Sequence, residues 1–348
     1  MNVTRVLTLM LAVCAGCGRH DSNTVKGPSD ALPSVELALN WYAEAEHGGY
    51  VQAAEQGGFR RHGLDVKIRQ GGPGAASLVI QELAAERIQF AVSSADLVIL
   101  ARAQKVPLVA VAAPLQQSPR CILVHQSSGI QSLEQLQNVT LAISDSRPFA
   151  LWMKHKLPLT GVTMVPYSGD IGEFVRQPGF AQQGFVFSEP FVAREAGADP
   201  KVLMLSDIGF NPYNSLLVTT EKMIRQQPDI VRGMVEASIE GWAGYLQDPA
   251  ATNAAIHRDN SEMSPAALQY GAKSMRPLCQ PEDGVPLCGM TPERWQTLID
   301  QIVEIGEIAE GSVQARECFD LSFLPHRSEA TQSDRETDSS EVDREPTP

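Results

Sequence analysis

The sequence predicts an α/β fold in two lobes, and three observations carry that reading. The 348 residues, 43% hydrophobic and 20% charged, suffice to bury cores and exceed what one compact unit usually holds. From residue 35 onward, short apolar runs alternate with amphipathic helical patterns, which implies a parallel sheet flanked by helices. No repeat of fixed period interrupts the alternation.

In order along the chain, the spacing predicts a strand over Val35 to Leu39 and a helix from about Gly49 to Arg61. Gly63 caps that helix, and Leu64 to Ile68 resumes as a strand. A turn at Gly71-Gly72-Pro73-Gly74 opens a helix through Leu78, Leu83 and Ala84, and Phe90-Ala91-Val92 is the next strand. Ser93 and Ser94 stand where they can cap a helix over Asp96 to Gln104, which leads to a strand over Leu108 to Ala112. A second set follows: Cys121 to His125, Val139 to Ile143, a helix near Phe149 to His155, and strands over Val162 to Pro166 and Gly184 to Phe187. Two later helices, Asp229 to Leu246 and Pro292 to Ile308, carry apolar faces, and Thr291-Pro292 marks the start of the second.

At the beginning, Arg5 precedes the apolar run Val6 to Val13, too short for a permanent membrane helix but laid out like a removable export signal. Cys14-Ala15-Gly16-Cys17 resembles a bacterial lipobox, so residues 1–17 are read as a lipoprotein signal peptide with lipidation at Cys17; cleavage without lipid is the alternative. The Gly, Ser, Asn, Asp and Pro of residues 18–33 suit a tether. Residues 327–348, with seven acidic and three basic side chains, have the composition of a disordered acidic tail. The formal charge of −13 repels phosphate backbones and argues against nucleic acid as a partner. Export permits disulfides, and Cys279 and Cys288 flank a turn-rich loop that a bridge could close; Cys121 and Cys318 pair only if the fold brings them together. No CxxC or HxxxH pair supports a zinc site, and no cofactor is expected.

A set of short motifs then recurs in a telling order: Leu39-Asn40-Trp41, His47 and Gly49, Ala54-Glu55-Gln56-Gly57-Gly58-Phe59, Gly63-Leu64-Asp65-Val66, Leu100 to Pro107, Ser128-Gly129-Ile130 and Ser188-Glu189-Pro190. Over residues 34 to 275 the chain resembles the ABC-transporter binding proteins for thiamine-pyrimidine precursors, aliphatic sulfonates, nitrate and taurine. The resemblance implies a periplasmic-binding-protein-like fold of type II with two chain crossovers, placed here near Pro114 to Arg120 and Ser206 to Ser215. Lobe one is then 34–116 plus 215–315 and lobe two 117–214, with the ligand beyond the carboxyl ends of the strands.

That geometry selects candidate ligand-binding residues. Trp41 directly follows the first strand and can stack a flat ring. His47 stands at the first helix, where the pyrimidine-binding branch has a histidine. Ser93 and Ser94 offer hydroxyls and N–H groups, or serve as plain caps. Arg147, in the corresponding turn of lobe two, suits a negative group or pairs with Asp145. Tyr167 and Glu189 are placed at strand ends, where a carboxylate accepts from a ring amine, and Tyr213 falls in the second crossing. The sequence departs from the pyrimidine branch in Asn40-Trp41, where that branch has Asp-Trp, and in lacking its Pro-Asn pair.

The expected function is an extracytoplasmic solute-binding lipoprotein of an ABC importer, on the periplasmic or cell-surface side of the membrane. It would take a small nitrogen heterocycle such as a thiamine pyrimidine precursor and dock, closed, on a permease with its ATPase. A binder of sulfonate, nitrate or taurine is the alternative. A biosynthetic enzyme of the same fold stands further off, because its cluster of closely spaced cysteines is missing from the sequence.

Overall fold

A computed structural model describes residues 31–325. The expected export signal with Cys17, the tether up to residue 30 and the acidic tail 327–348 lie outside the described residues.

Among the described residues ten strands form in chain order: β1 (Ser34–Ala38), β2 (Asp65–Arg69), β3 (Phe90–Ser93), β4 (Leu108–Ala112), β5 (Arg120–His125), β6 (Thr140–Ala142), β7 (Thr163–Val165), β8 (Phe180–Phe185), β9 (Pro200–Met204) and β10 (Leu216–Thr220). They build two five-stranded sheets, β2-β1-β3-β10-β4 and β7-β6-β8-β5-β9. Runs such as Leu-Val-Ala-Val-Ala in β4 are buried at every position, as expected of strands covered on both faces. The chain thus passes between sheets twice, after β4 and before β10.

The sheets are mixed rather than parallel throughout. β10 runs antiparallel to β3 and β4, and β5 runs antiparallel to β8 and β9. The physical reason is the passage itself. A strand that enters a sheet directly from the neighbouring one starts at their common edge and runs away from it, whereas strands preceded by a helix run toward it. This places the first residues of β5 and β10 beside the last residues of β8 and β3: Arg120 pairs with Phe185 and Leu216 with Ser93.

Thirteen helices accompany the described strands. The first expected helix is broken into α1 (Gly48–Glu55) and α2 (Gly58–Arg61), because Gly57 turns into the left-handed region at φ 69°. Then come α3 (Ala75–Ala84), α4 (Ala95–Ala103), α5 (Pro148–Lys156), α6 (Gly172–Arg176), α7 (Glu189–Glu195), α8 (Glu221–Gln226), α9 (Pro228–Gln247), α10 (Ala250–Asp259), α11 (Pro265–Leu278), α12 (Pro292–Glu304) and α13 (Ala315–Cys318). The strand expected at Gly184 to Phe187 starts earlier, at Phe180, and Glu189 opens α7 instead of closing a strand. Pro190 suits the first turn of a helix, where no backbone N–H is needed.

One apolar cluster joins the facing sides of both sheets, including Ala91 and Ala110 from the first and Ile122 and Leu141 from the second. A second cluster packs the other face of the first sheet, with Phe90 and Val92, against α1, α9 and α11. The bridge expected between Cys279 and Cys288 is not formed. Both are buried thiols in the second cluster, and Cys288 lies near enough to Cys279 to feel its charge. Cys121 and Cys318 are also buried thiols and belong to different clusters.

Candidate ligand site at the junction of the two sheets

The chain leaving β1 supplies Asn40, Trp41 and Tyr42 at the carboxyl edge of the first sheet. Trp41 is half-buried and Tyr42 exposed, and their rings meet edge to face with centroids 5.6 Å apart. The Gly-rich turn supports them from below. Gly71 N–H donates to Trp41 O at 2.9 Å, and a Cβ on Gly71 would press on Leu39 O and Trp41 N, so only glycine allows this approach. Gly72 lies against the Tyr42 ring.

Next, a short 3₁₀ turn over Ala45–His47 turns its polar side chains inward. Glu44 is 6% exposed, Glu46 3% and His47 0%. Burial at this depth demands partners, and the neutral imidazole with its proton on Nε2 satisfies them. Glu44 N–H donates to His47 Nδ1 at 3.3 Å, His47 Nε2 donates to Asn40 Oδ1 at 2.8 Å, and Asn40 Nδ2 donates to Glu46 Oε1 at 3.2 Å. Burial lowers the His47 pKa to about 3 even though Glu46 Oε1 lies 3.3 Å from Nε2. The two statements agree because Glu46 is itself pushed up to about 7, first by burial and further by Glu189, against the pull of Asn40 and Arg120. Glu44 is raised by burial and by Glu46 and Glu189.

The second sheet contributes Arg120, Phe149, Phe185, Tyr167 and Glu189. Arg120, first in β5, holds its guanidinium 4.2 Å from the Phe149 ring centroid and 4.7 Å from that of Phe185. Burial pulls its pKa down, opposed by Asp96 and Glu46 of the first sheet's edge. Tyr167 OH donates to Glu189 Oε1 at 3.0 Å, and Glu189 Oε2 accepts from Phe185 N–H at 2.7 Å. Burial raises Glu189, although those hydrogen bonds and Arg120 act against it. Four carboxyl groups, Glu44, Glu46, Asp96 and Glu189, and two arginines, Arg120 and Arg147, therefore share one electrostatic neighbourhood.

The residues singled out from the sequence fall into three groups. Trp41, Tyr167 and Glu189 stand at this junction. Ser93, at the end of β3, is 1% exposed with an Oγ that has no partner, and Ser94 is the half-buried N-cap of α4 without a side-chain capping bond. Arg147, N-cap of α5, reaches across to Ser77 Oγ of α3 at 3.4 Å, while Asp145 pairs with Lys154. His47 lies beneath the surface and holds Asn40 and the Glu44 backbone in place. Tyr213 is 2% exposed: its OH accepts from Thr291 N–H at 3.1 Å and its ring carries the Arg294 guanidinium at 4.0 Å, so it braces α12 instead of lining the junction.

Asp96, Glu44, Glu46, Arg120, Phe149 and Phe185 escaped the sequence reading. Acidic residues ahead of a helix read as solvated groups favouring its dipole, and an arginine before an apolar strand reads as its wet end. Their usable signal was position, since Arg120 follows the first crossing directly. Two surface concavities, of about 730 Å³ beside α12 and α13 and about 330 Å³ around Asn211 and Arg294, contain none of these groups.

Comparison with known proteins agrees with this architecture. A formylaminopyrimidine-binding protein from Halalkalibacterium halodurans is 24% identical over 332 residues, covering 92% of this chain and 98% of that protein. A riboflavin-binding protein, RibY, from Chloroflexus aurantiacus is 24% identical over 275 residues, 70% of this chain and 75% of that one. A periplasmic sulfonate-binding protein from Methylobacillus flagellatus superposes with a TM-score of 0.63 at 15% identity, over 84% of this chain and 93% of that one. The same fold also carries an enzyme, since the desulfurization enzyme DSZB superposes with a TM-score of 0.56 at 12% identity, over 84% of this chain and 97% of that one. The fold is that of the periplasmic binding proteins, and its sheet orders and two passages are those described above. The family described as NMT1/THI5 like matches residues 44–252, more than half of the sequence, and the chain belongs to that family.

Proposed function

We propose that the chain is the solute-binding component of an ABC importer and takes a small nitrogen heterocycle between the carboxyl edges of its two sheets. One observation carries the reading: Glu44, three residues after the half-buried Trp41 at the edge of the first sheet, interacts electrostatically with the hydrogen-bonded Tyr167–Glu189 pair of the second. An indole offers a face to a flat ring, and carboxyl groups held up in pKa accept from or donate to ring nitrogens according to their protonation. The relatives named for formylaminopyrimidine and riboflavin, both flat nitrogen heterocycles, support the same class.

Sulfonate, nitrate or taurine is the second reading, and Arg120 is the observation in its favour. Asp96 acts on Arg120 and would repel an anion held there, although Arg147, which also acts on Arg120, would attract it. An enzymatic role by cysteine chemistry is disfavoured. Burial pushes the thiols of Cys121, Cys279, Cys288 and Cys318 up, the last to about 12, opposite to what a nucleophile needs.

The working cycle follows from two lobes on two short connections. A ligand touching both edges binds the closed form more tightly than the open one, so its arrival shifts the population toward closure, and the closed surface docks on the permease. The signal-like start, with lipidation at Cys17, would hold the chain on the outer side of the cytoplasmic membrane. Thermal-shift and calorimetric titration of the mature chain with aminopyrimidines, riboflavin, alkanesulfonates and nitrate tests the reading. A heterocycle should raise the unfolding temperature; stabilisation by sulfonate or nitrate alone would overturn the assignment.

A further inference from the structure

We propose that the Arg120 guanidinium, flanked by the Phe149 and Phe185 rings, is the donor that takes a carbonyl-type oxygen on an uncharged planar ligand. This rests on the reading of the junction as a heterocycle site and names the edge chemistry that site selects.

The arginine is held in place at both ends. Its stem is fixed, since Arg120 lies in β5 and its N–H donates to Ser118 Oγ at 3.5 Å, and its head is fixed by the two rings at 4.2 and 4.7 Å. Yet among the described residues the guanidinium makes no hydrogen bond and no ion pair, although every other arginine described at a comparable position, such as Arg69 and Arg294, is bonded. A largely buried guanidinium has five N–H donors to satisfy, and leaving them without acceptors is costly. Aromatic contacts that set its plane while its edge stays unmatched amount to a preformed planar donor.

Carboxyl groups surround it without pairing. Asp96, Glu46 and Glu189 all act on Arg120 or feel it, yet none approaches to bonding distance. Ser93 Oγ, three residues before Asp96 in the chain, is buried without a partner. A phosphate or sulfonate brings three oxygens to satisfy, more than one unmatched guanidinium edge can match. A neutral oxygen takes its charge-assisted hydrogen bond from that edge alone. Burial that holds Glu44, Glu46 and Glu189 toward the protonated form lets them engage N–H and ring nitrogen on the same ligand. The edge so matched carries N–H beside a carbonyl, as in an acylamino group or a ring lactam, and is unphosphorylated.

The test pairs two ligands with two variants. A formylaminopyrimidine and its thioformyl analogue share shape, N–H groups and charge and differ in acceptor strength at one atom. Calorimetry on the wild-type chain should show the oxygen ligand bound roughly tenfold or more tightly than the sulfur one, the effect of one lost charge-assisted bond. Arg120→Met should weaken the oxygen ligand by about 10- to 100-fold, leave the sulfur ligand within about 3-fold, and so erase the preference. Arg120→Lys, which keeps the cation against the rings, gives the same reading at a smaller loss if the Met variant does not fold. Equal loss for both ligands at an unchanged unfolding midpoint would show a merely structural arginine and overturn the proposal, as would methanesulfonate binding more tightly than the oxygen ligand. Absence of binding of either heterocycle to the wild-type chain would instead overturn the heterocycle reading on which the proposal rests.

Discussion

Single residues decide whether the junction holds its ligand or merely holds together. Trp41 is half-buried and set on a glycine-supported turn, so Trp41→Ala should weaken heterocycle binding by roughly 10- to 100-fold while changing stability little, as titration and denaturant unfolding would show in parallel. His47 should behave in the opposite way. Its substitution by alanine strands Asn40 Oδ1 and Glu44 N–H in the interior, and stability should fall by about 2–4 kcal/mol with any loss of affinity following from the loss of order. The pH dependence separates two buried groups. Glu46, with its folded pKa raised to about 7 from the usual 4.5, binds protons more readily folded than unfolded. It therefore costs stability progressively as pH rises from 4.5 to 7, on the order of 3 kcal/mol at most. His47, lowered to about 3, stabilises fully above pH 6.5 and loses that contribution as pH falls toward 3. Glu46→Gln should thus gain on the wild type as pH rises from 5 to 8 in urea titrations. A difference independent of pH would show that Glu46 ionises normally.

Elements position these residues, and the tightest joint is where α1 crosses α9. A Cβ on Gly241 would overlap Gly49 O and crowd Ala53, and one on Gly49 would enter the Trp242 ring. The crossing exists because both helices present glycine at the point of contact, and it anchors the segment that carries Glu44, Glu46 and His47. Gly241→Ala forces the helices apart and should cost about 1–3 kcal/mol, with a parallel fall in ligand affinity, whereas the same change at exposed Gly63 meets open space and acts only through its backbone conformation, φ 77°. Differential scanning calorimetry and titration on the same preparations would distinguish the two. Tyr50 adds a second tie, its OH donating to Ser215 O at 2.6 Å at the start of β10, so α1 and the returning chain are fixed to each other.

At the scale of the whole molecule, two sheets joined by two passages make opening and closing the motion the topology favours. Arg147 of the second sheet's side meets Ser77 of the first across the junction. Such a contact weighs little while exposed to water. Ligand should therefore narrow the distribution of distances between labels placed on α3 and α5, measured by fluorescence transfer, and an unchanged distribution at saturation would remove closure from the mechanism. At a ligand concentration a hundred times the Kd, stability should rise by about 2.7 kcal/mol, which converts the affinity measured by titration into an expected shift of the unfolding temperature.

Local patterns were legible where local physics decides them. The apolar run Val35 to Leu39, the Thr291-Pro292 start of α12 and the placement of Trp41 after the first strand follow from side-chain periodicity, capping chemistry and a resemblance carried by short motifs. Sequence alone thus determined the α/β class and the family. Strand direction was not legible in that way, because an apolar strand reads the same whichever way it enters a sheet, and only assembly showed that β5 and β10 run against their neighbours. That reversal is what brings Arg120 from the start of one strand to the end of another, beside Phe185 and toward carboxyl groups about 75 residues earlier. Burial settled the remainder: His47 reads as a ligand contact and Glu44 and Glu46 as solvated residues until the fold closes over all three, since the cost of hiding a charge depends on everything packed around it and on nothing in its own neighbourhood of the chain.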